Sequence, residues 1–107
     1  MPRKVDTNQS EIVAALREVG ATVCDIHEVA GGCPDLLVGF RGVNHLLEVK
    51  APGSERRMTR LEVEWIENWR GPVAVVSTVE QALDMIGAGW KPEHRDMYIA
   101  MEKERAG

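Results

Sequence analysis

The sequence predicts an α/β domain, a mixed sheet with helices on its faces. Three observations predict it. Two strand-like apolar runs, residues 36–40 and 45–50, flank a tight turn around Gly42. A further run, residues 73–76 (VAVV), is apolar without a break, as in a strand covered on both faces. Between them, a helical pattern from Thr59 is long enough for a crossover, so the last strand can lie parallel to its neighbour.

Asn8 is a good helix N-cap, with Glu11 three residues on as a capping-box partner. Ile12, Ala15, Leu16 and Val19 then fall at helical spacing, and Gly20 is a natural stop. Residues 22–27 are short and β-prone, and Gly31-Gly32 marks a loop. Pro34 lacks an amide hydrogen, which suits the start of a strand and not its middle. After the hairpin, APGSERR reads as a polar loop. Thr59 and Glu62 form a second capping-box pair, and Leu61, Trp65 and Trp69 follow at i, i+4, i+8 with Ile66 beside them. That stripe predicts core packing for both tryptophans, and Gly71-Pro72 ends the helix. Ser77 or Thr78 caps a third helix through Met85, closed by Gly87. The order is α-β-β-β-α-β-α. One domain is expected over residues 1–90, followed by a charged tail, residues 91–107, with a further helix starting near Pro92.

A chain of 107 residues builds one domain with one modest core. Its 44% hydrophobic and 28% charged content is that of an ordinary globular protein. No apolar run approaches a membrane span, and MPRKVDTNQS holds no apolar signal core. A cytoplasmic location with no membrane partner is therefore expected. Cys24 and Cys33 have no CxxC or nearby Cys/His pattern, so they read as free thiols. The net charge of −4 argues against nucleic acid, but its distribution is uneven. Residues 41–60 carry five basic groups (Arg41, Lys50, Arg56, Arg57, Arg60) against two acids; residues 61–89 carry five acids against Arg70. A local basic rim of this kind can steer a polyanion.

The hairpin places Asp35, Glu48 and Lys50 among residues that want burial. Glu48 and Lys50 are two apart and share a face of their strand. A turn at Arg41-Gly42 sets Asp35 opposite Glu48; a turn at Gly42-Val43 sets it opposite Lys50. Either even-length loop gathers all three groups on one face, and a three-residue loop separates them. Two opposed carboxylates repel unless a cation lies between them. Lys50 neutralises them in part. A hard divalent ion does so better: Mg²⁺ is typically held by one or two carboxylates plus a substrate phosphate. Such an ion acidifies its bound water and polarises the phosphate, while Lys50 can orient that water or stabilise the charge that builds up.

At this point the residues carry a resemblance. Pro34-Asp35, then Glu48-Val49-Lys50 on the next strand, resembles the PD-(D/E)XK nuclease signature, and the inferred αβββαβ order is similar to that superfamily's core. An ExK triplet alone arises by chance in about one in three chains of this length, so the Pro-Asp in register is what gives it weight. GCPDLLVGFRG, LLEVK, the basic loop, the Thr-capped helix with aromatics, and WRGPVAVV followed by EQAL resemble the virus-type replication-repair nuclease (VRR-NUC) family over roughly residues 6 to 87. The resemblance implies a DNA endonuclease dependent on Mg²⁺ or Mn²⁺. Stand-alone members are similar to Holliday-junction resolvases and act as homodimers, which implies branched or four-way DNA as substrate. It further implies that Asp35 and Glu48 are metal ligands, with the Val49 carbonyl as a third, and that Lys50 is the catalytic lysine. Glu11 matches an acidic residue that completes such sites. Glu62 stands where many relatives have Gln, and Arg60 where many have Pro.

Simpler explanations stand beside several of these roles. Glu11 and Glu62 are each accounted for by helix capping. An Asp in a strand, as at Asp35, has no such explanation. His27 lies near the loop leading to Asp35 and reads first as a structural histidine. His45 points away from Glu48. Arg41, Arg56, Arg57 and Arg60 are candidate phosphate contacts or solvated charges. Trp90 with the tail, or the helix bearing Trp65, is a candidate dimer interface. A non-catalytic DNA-binding or assembly module and a restriction-like duplex endonuclease are the competing functions.

Overall fold

The computed structural model describes residues 7–88, so Trp90 and the helix expected near Pro92 lie outside the described residues. In chain order the elements are α1 (Thr7–Glu18), β1 (Thr22–Asp25), β2 (Leu36–Phe40), β3 (Val43–Val49), α2 (Arg60–Asn68), β4 (Val73–Val76) and α3 (Val79–Met85). The four strands form one sheet in the order β1-β2-β3-β4. The first three are antiparallel, and β4 runs parallel to β3 across the α2 crossover. This is the α/β class and the mixed sheet that the sequence predicts. Among the described residues, no helix is long and apolar enough to cross a membrane.

The hairpin between β2 and β3 decides the register. Arg41 and Gly42 both have positive φ, 49° and 80°, as a two-residue type I′ loop requires. Phe40 therefore pairs with Val43 and Leu36 with Leu47. Of the two registers open to the sequence, this is the one with the turn at Arg41-Gly42. Val43 and Asn44 join β3 because so short a loop sets them directly opposite Phe40 and Gly39.

The sheet has two unlike faces. Leu36 and Val38 of β2, Leu47 and Val49 of β3 and Val76 of β4 point to one side, where they meet Ile12 and Leu16 of α1 and Ala82, Leu83 and Ile86 of α3. Alternation then sends Asp35, Leu37, Leu46 and Glu48 to the other side. The core is one-sided, built against α1 and α3.

Three local expectations change. Asn8 lies inside α1, which starts at Thr7, so it does not cap the helix. Its side-chain amide instead donates to the Lys50 carbonyl (2.8 Å) and the Ser77 carbonyl (3.2 Å), tying α1 to the ends of β3 and β4. β1 stops at Asp25 rather than His27, because the Asp25 carboxylate accepts the His27 amide hydrogen (3.0 Å) and closes a turn. The third change concerns α2. Its start is as predicted: Thr59 accepts the Glu62 amide hydrogen and Glu62 accepts that of Thr59. Yet α2 has no buried residue, and Leu61 and Trp69 are about half exposed. Trp65 and Trp69 stack on each other, ring centroids 4.5 Å apart, and are not core residues. Glu62, in the first turn of α2, bonds Lys50 at the end of β3, and no residue of the helix's apolar stripe is fully buried.

Candidate active site

Carried two residues past Leu36, the β2–β3 register sets Asp35 opposite Glu48 and Pro34 opposite Val49. Asp35 and Glu48 are both buried, at 9% and 2% exposure, although each is a carboxylate on the far face of the sheet. The Asp35 side chain is fixed: its Oδ2 accepts the Val49 amide hydrogen at 2.8 Å. That bond replaces the ladder bond that would continue the hairpin. Pro34 in turn has no amide hydrogen to offer the Val49 carbonyl, which points to the same edge as the Val49 amide.

Above these carboxylates lies an open cavity of about 240 Å³. The β1–β2 loop, from His27 to Cys33, forms one wall. Thr59, Leu61 and Glu62, at the start of α2, form the other. The two walls touch at Gly32. A Cβ there would lie 2.4 Å from the Leu61 carbonyl carbon and oxygen, and φ is +85°. Both facts demand glycine. Gly32→Ala is expected to cost about 2–4 kcal/mol by overpacking and strain, read as a lower urea midpoint. An unchanged midpoint would show that α2 does not lean on this loop.

Lys50 does not neutralise Asp35 and Glu48 directly. Its Nζ donates to both Glu62 carboxylate oxygens, at 3.0 and 3.1 Å, with both side chains largely buried. Glu62 thus joins its cap to the site: Oε1 also accepts the Thr59 amide hydrogen at 2.8 Å. Burial alone would raise the Glu62 carboxyl. The Thr59 amide, Lys50 and a hydrogen bond with Glu48 outweigh it and bring it down to about 2. Glu48 goes the other way, pushed up to about 9 by burial, then by Asp35 and then by Glu62. At neutral pH Glu48 therefore keeps a proton and hydrogen-bonds with its carboxylate neighbours. Burial, then Glu48 and Asp35, also raise the Cys33 thiol in the cavity wall.

The donor set can be judged against a divalent cation. No group of three His, Cys, Asp or Glu side chains is arranged to hold a metal ion among the described residues. What is present is two opposed carboxylates, hard oxygen donors, at the floor of an open cavity. Burial, then Asp35 and then Glu62, raise Glu48, and a divalent cation held between the two carboxylates would oppose that rise. This chemistry fits Mg²⁺, which needs few protein ligands and keeps room for water and phosphate. It does not suit a closed structural metal site.

Of the site residues predicted from sequence, only Asp35 and Glu48 line the cavity; Lys50 is joined to it through Glu62, and the remaining candidates lie outside the lining. Glu11 is exposed on α1. Arg41 is exposed at the hairpin turn, over the Phe40 ring. Arg56 and Arg57 are exposed in the loop after Lys50, and Arg60 pairs with Glu64 at 3.0 Å. The sequence favours a cap for Glu62 and a structural role for His27 over a role in the site, yet both line the cavity. The signal for Glu62 was its place three residues after Thr59, which points it back toward the end of β3. His27 follows Asp25 at the i, i+2 spacing of a side chain-to-backbone turn. Compared with family models, curated proteins and solved structures, the chain matches none of them.

Proposed function

We infer that this chain is a metal-dependent DNA endonuclease built on a PD-(D/E)XK-type core, of the VRR-NUC kind. The observation that carries the reading is the opposition of Asp35 and Glu48 on adjacent strands at the floor of an open cavity, with Lys50 anchored at its edge. Asp35, oriented by the Val49 amide, and Glu48 would hold the ion, with the Val49 carbonyl as a third donor. Bound there, Mg²⁺ or Mn²⁺ supplies an acidified water and a polarised phosphate. The chain's own residues do the rest. Glu48 would release its proton to solvent in order to hold the ion. Lys50, steadied by Glu62, offers an N–H to the attacking water or to a phosphate oxygen as negative charge grows. Thr59 fixes Glu62 and so fixes Lys50. Arg56 and Arg57, exposed in the loop just beyond Lys50, would contact flanking phosphates. Glu11, exposed and outside the cavity, is given no step.

So small a domain covers little duplex by itself. The unburied apolar stripe of α2, with Leu61, Trp65 and Trp69, supports a two-fold pairing of copies, and two symmetric sites suit paired cuts in branched DNA. The test incubates the protein with labelled four-way and linear DNA in Mg²⁺, Mn²⁺ or EDTA, with its mass measured by sedimentation. Metal-dependent cutting of the junction by a two-copy species is expected. Cutting in EDTA contradicts the mechanism; binding without cutting in any metal identifies a DNA-binding module instead. Discrete bands from linear DNA indicate a restriction-like enzyme, and a single-copy species removes the paired cut.

A further inference from the structure

Lys50 follows the last residue of β3, and its side chain carries the ammonium across to Glu62 on α2. A flexible stem of four methylenes is placed only when both of its ends are held. Glu62 holds the tip, at 3.0 and 3.1 Å. The root needs a fastening of its own, because the sheet runs out there. The Lys50 amide still donates to the Val76 carbonyl at 2.9 Å, but β4 ends at Val76 and Thr78 already caps α3. The ladder that would serve the Lys50 carbonyl therefore stops, and that carbonyl must find its donor elsewhere. The Asn8 side chain supplies it. Its Nδ2 donates to the Lys50 carbonyl at 2.8 Å and to the Ser77 carbonyl at 3.2 Å. Both neighbours are acceptors only, so the amide nitrogen, and not the amide oxygen, must face them. One side chain of α1 thus bridges the ends of two adjacent parallel strands, and one of the two carbonyls it holds is that of Lys50.

Resting on the nuclease reading above, we propose that Asn8 is a positioning residue of this site: by holding the Lys50 carbonyl it fixes where the lysine leaves the sheet, and so where its ammonium meets the phosphate. Asn8 touches neither metal nor DNA in this account and acts through Lys50 alone. Root and tip are held by different elements, α1 through Asn8 and α2 through Glu62, so loss of either frees one end of the same side chain.

The experiment measures single-turnover cleavage of a labelled four-way junction in Mg²⁺, its binding in Ca²⁺, and the heteronuclear NMR signal of the Lys50 ammonium without DNA. The proteins are wild type, Asn8→Ala, Asn8→Asp, Asn8→Gln, Val13→Ala, Lys50→Ala and the Asn8→Ala/Lys50→Ala double variant. Asn8→Ala is expected to slow cleavage about tenfold and to leave Kd within about threefold. Asn8→Asp is the same size and still suits a helix start, but it sets a carboxylate against two carbonyls, and it cuts no faster than Asn8→Ala. Asn8→Gln keeps the donating amide and recovers part of the rate. Val13, on α1, is half-buried against the core; Val13→Ala loosens that packing and cuts within about twofold of wild type, which separates positioning from lost stability. In the Lys50→Ala background, Asn8→Ala slows cleavage by no more than about twofold, whereas a general structural defect would cost the same tenfold again. The ammonium signal, sharpened by Glu62 in wild type, broadens in Asn8→Ala. A wild-type rate and signal in both Asn8→Ala and Asn8→Asp would overturn the proposal, as would a tenfold loss that persists without Lys50. If wild type cuts and Asn8→Ala matches it in rate and signal, only this inference fails. If wild type cuts no DNA in any metal while the ammonium signal still responds to Asn8→Ala, the nuclease reading fails and the link from Asn8 to Lys50 stands.

Discussion

Lys50→Ala is expected to lower single-turnover cleavage of branched DNA at least about a hundredfold while leaving DNA affinity in Ca²⁺ within about threefold. The reason is geometric. The Lys50 ammonium donates to both oxygens of Glu62, a carboxylate of the cavity wall. Removing the ammonium takes away a donor whose value rises as phosphate charge builds, and a loss of that kind appears in the chemical step more than in binding. It also leaves Glu62 beside Glu48 with no counter-charge, so a modest loss of stability accompanies the loss of rate. Glu62→Gln separates the two effects. The Gln carbonyl still accepts from Lys50 and from the Thr59 amide, so the cap survives while the ion pair goes. That variant is expected to cut about tenfold more slowly than wild type, well above the Lys50→Ala rate. Undiminished cutting by Lys50→Ala, measured in single turnover at saturating enzyme, would remove the lysine from the mechanism.

Without divalent metal, the protein is expected to lose stability as pH rises from about 5 to about 9. Glu48 carries this effect. Its carboxyl titrates near 9 in the folded chain against 4.5 ordinarily. Between those values the unfolded chain has lost the proton and the folded chain keeps it. Folding thus takes up a proton, so the contribution is full below 4.5 and is lost as pH climbs to 9. The slope approaches about 1.4 kcal/mol per pH unit at most. Glu62 acts in the opposite window. Held down to about 2, it contributes above 4.5 and is lost only as pH falls from there toward 2. Together they place the metal-free optimum near pH 5, at the acid end of the usual range. Glu48→Gln is expected to flatten the alkaline limb, and saturating Ca²⁺ to flatten it in wild type by replacing the proton as the balancing charge. Thermal melts in EDTA between pH 5 and 9 provide the check. A wild-type melting temperature that holds or rises over that range would contradict the buried-proton account.

Much of this architecture was legible in the sequence because the signals were local. Capping boxes, a Gly-containing two-residue turn and an unbroken VAVV run each act over a few residues, and the element order followed from them. The opposition of Asp35 and Glu48 was legible as one of two registers. The choice between them rested on Arg41 taking positive φ, which a non-glycine residue adopts uncommonly. What was not legible depended on contacts distant in sequence. Asn8 has the composition of a cap, yet its amide reaches carbonyls 42 and 69 residues away. The stripe on α2 has the same spacing whether it meets its own sheet or another molecule, so periodicity could not reveal that Trp69 is exposed. Lys50 was read with its strand neighbour Glu48. Its partner Glu62 comes from the helix that crosses over the site.

The cation site is the claim on which the chemistry depends, and calorimetry of metal binding tests it most directly. Mg²⁺ or Mn²⁺ titrated at pH 7.5, in two buffers of different ionisation heat, is predicted to bind one ion with release of close to one proton, the proton of Glu48. Asp35→Asn and Glu48→Gln should each weaken that binding at least about tenfold, and Glu48→Gln should abolish the proton release. Binding that releases no proton in wild type, or that survives both substitutions unchanged, would contradict a divalent cation held between Asp35 and Glu48.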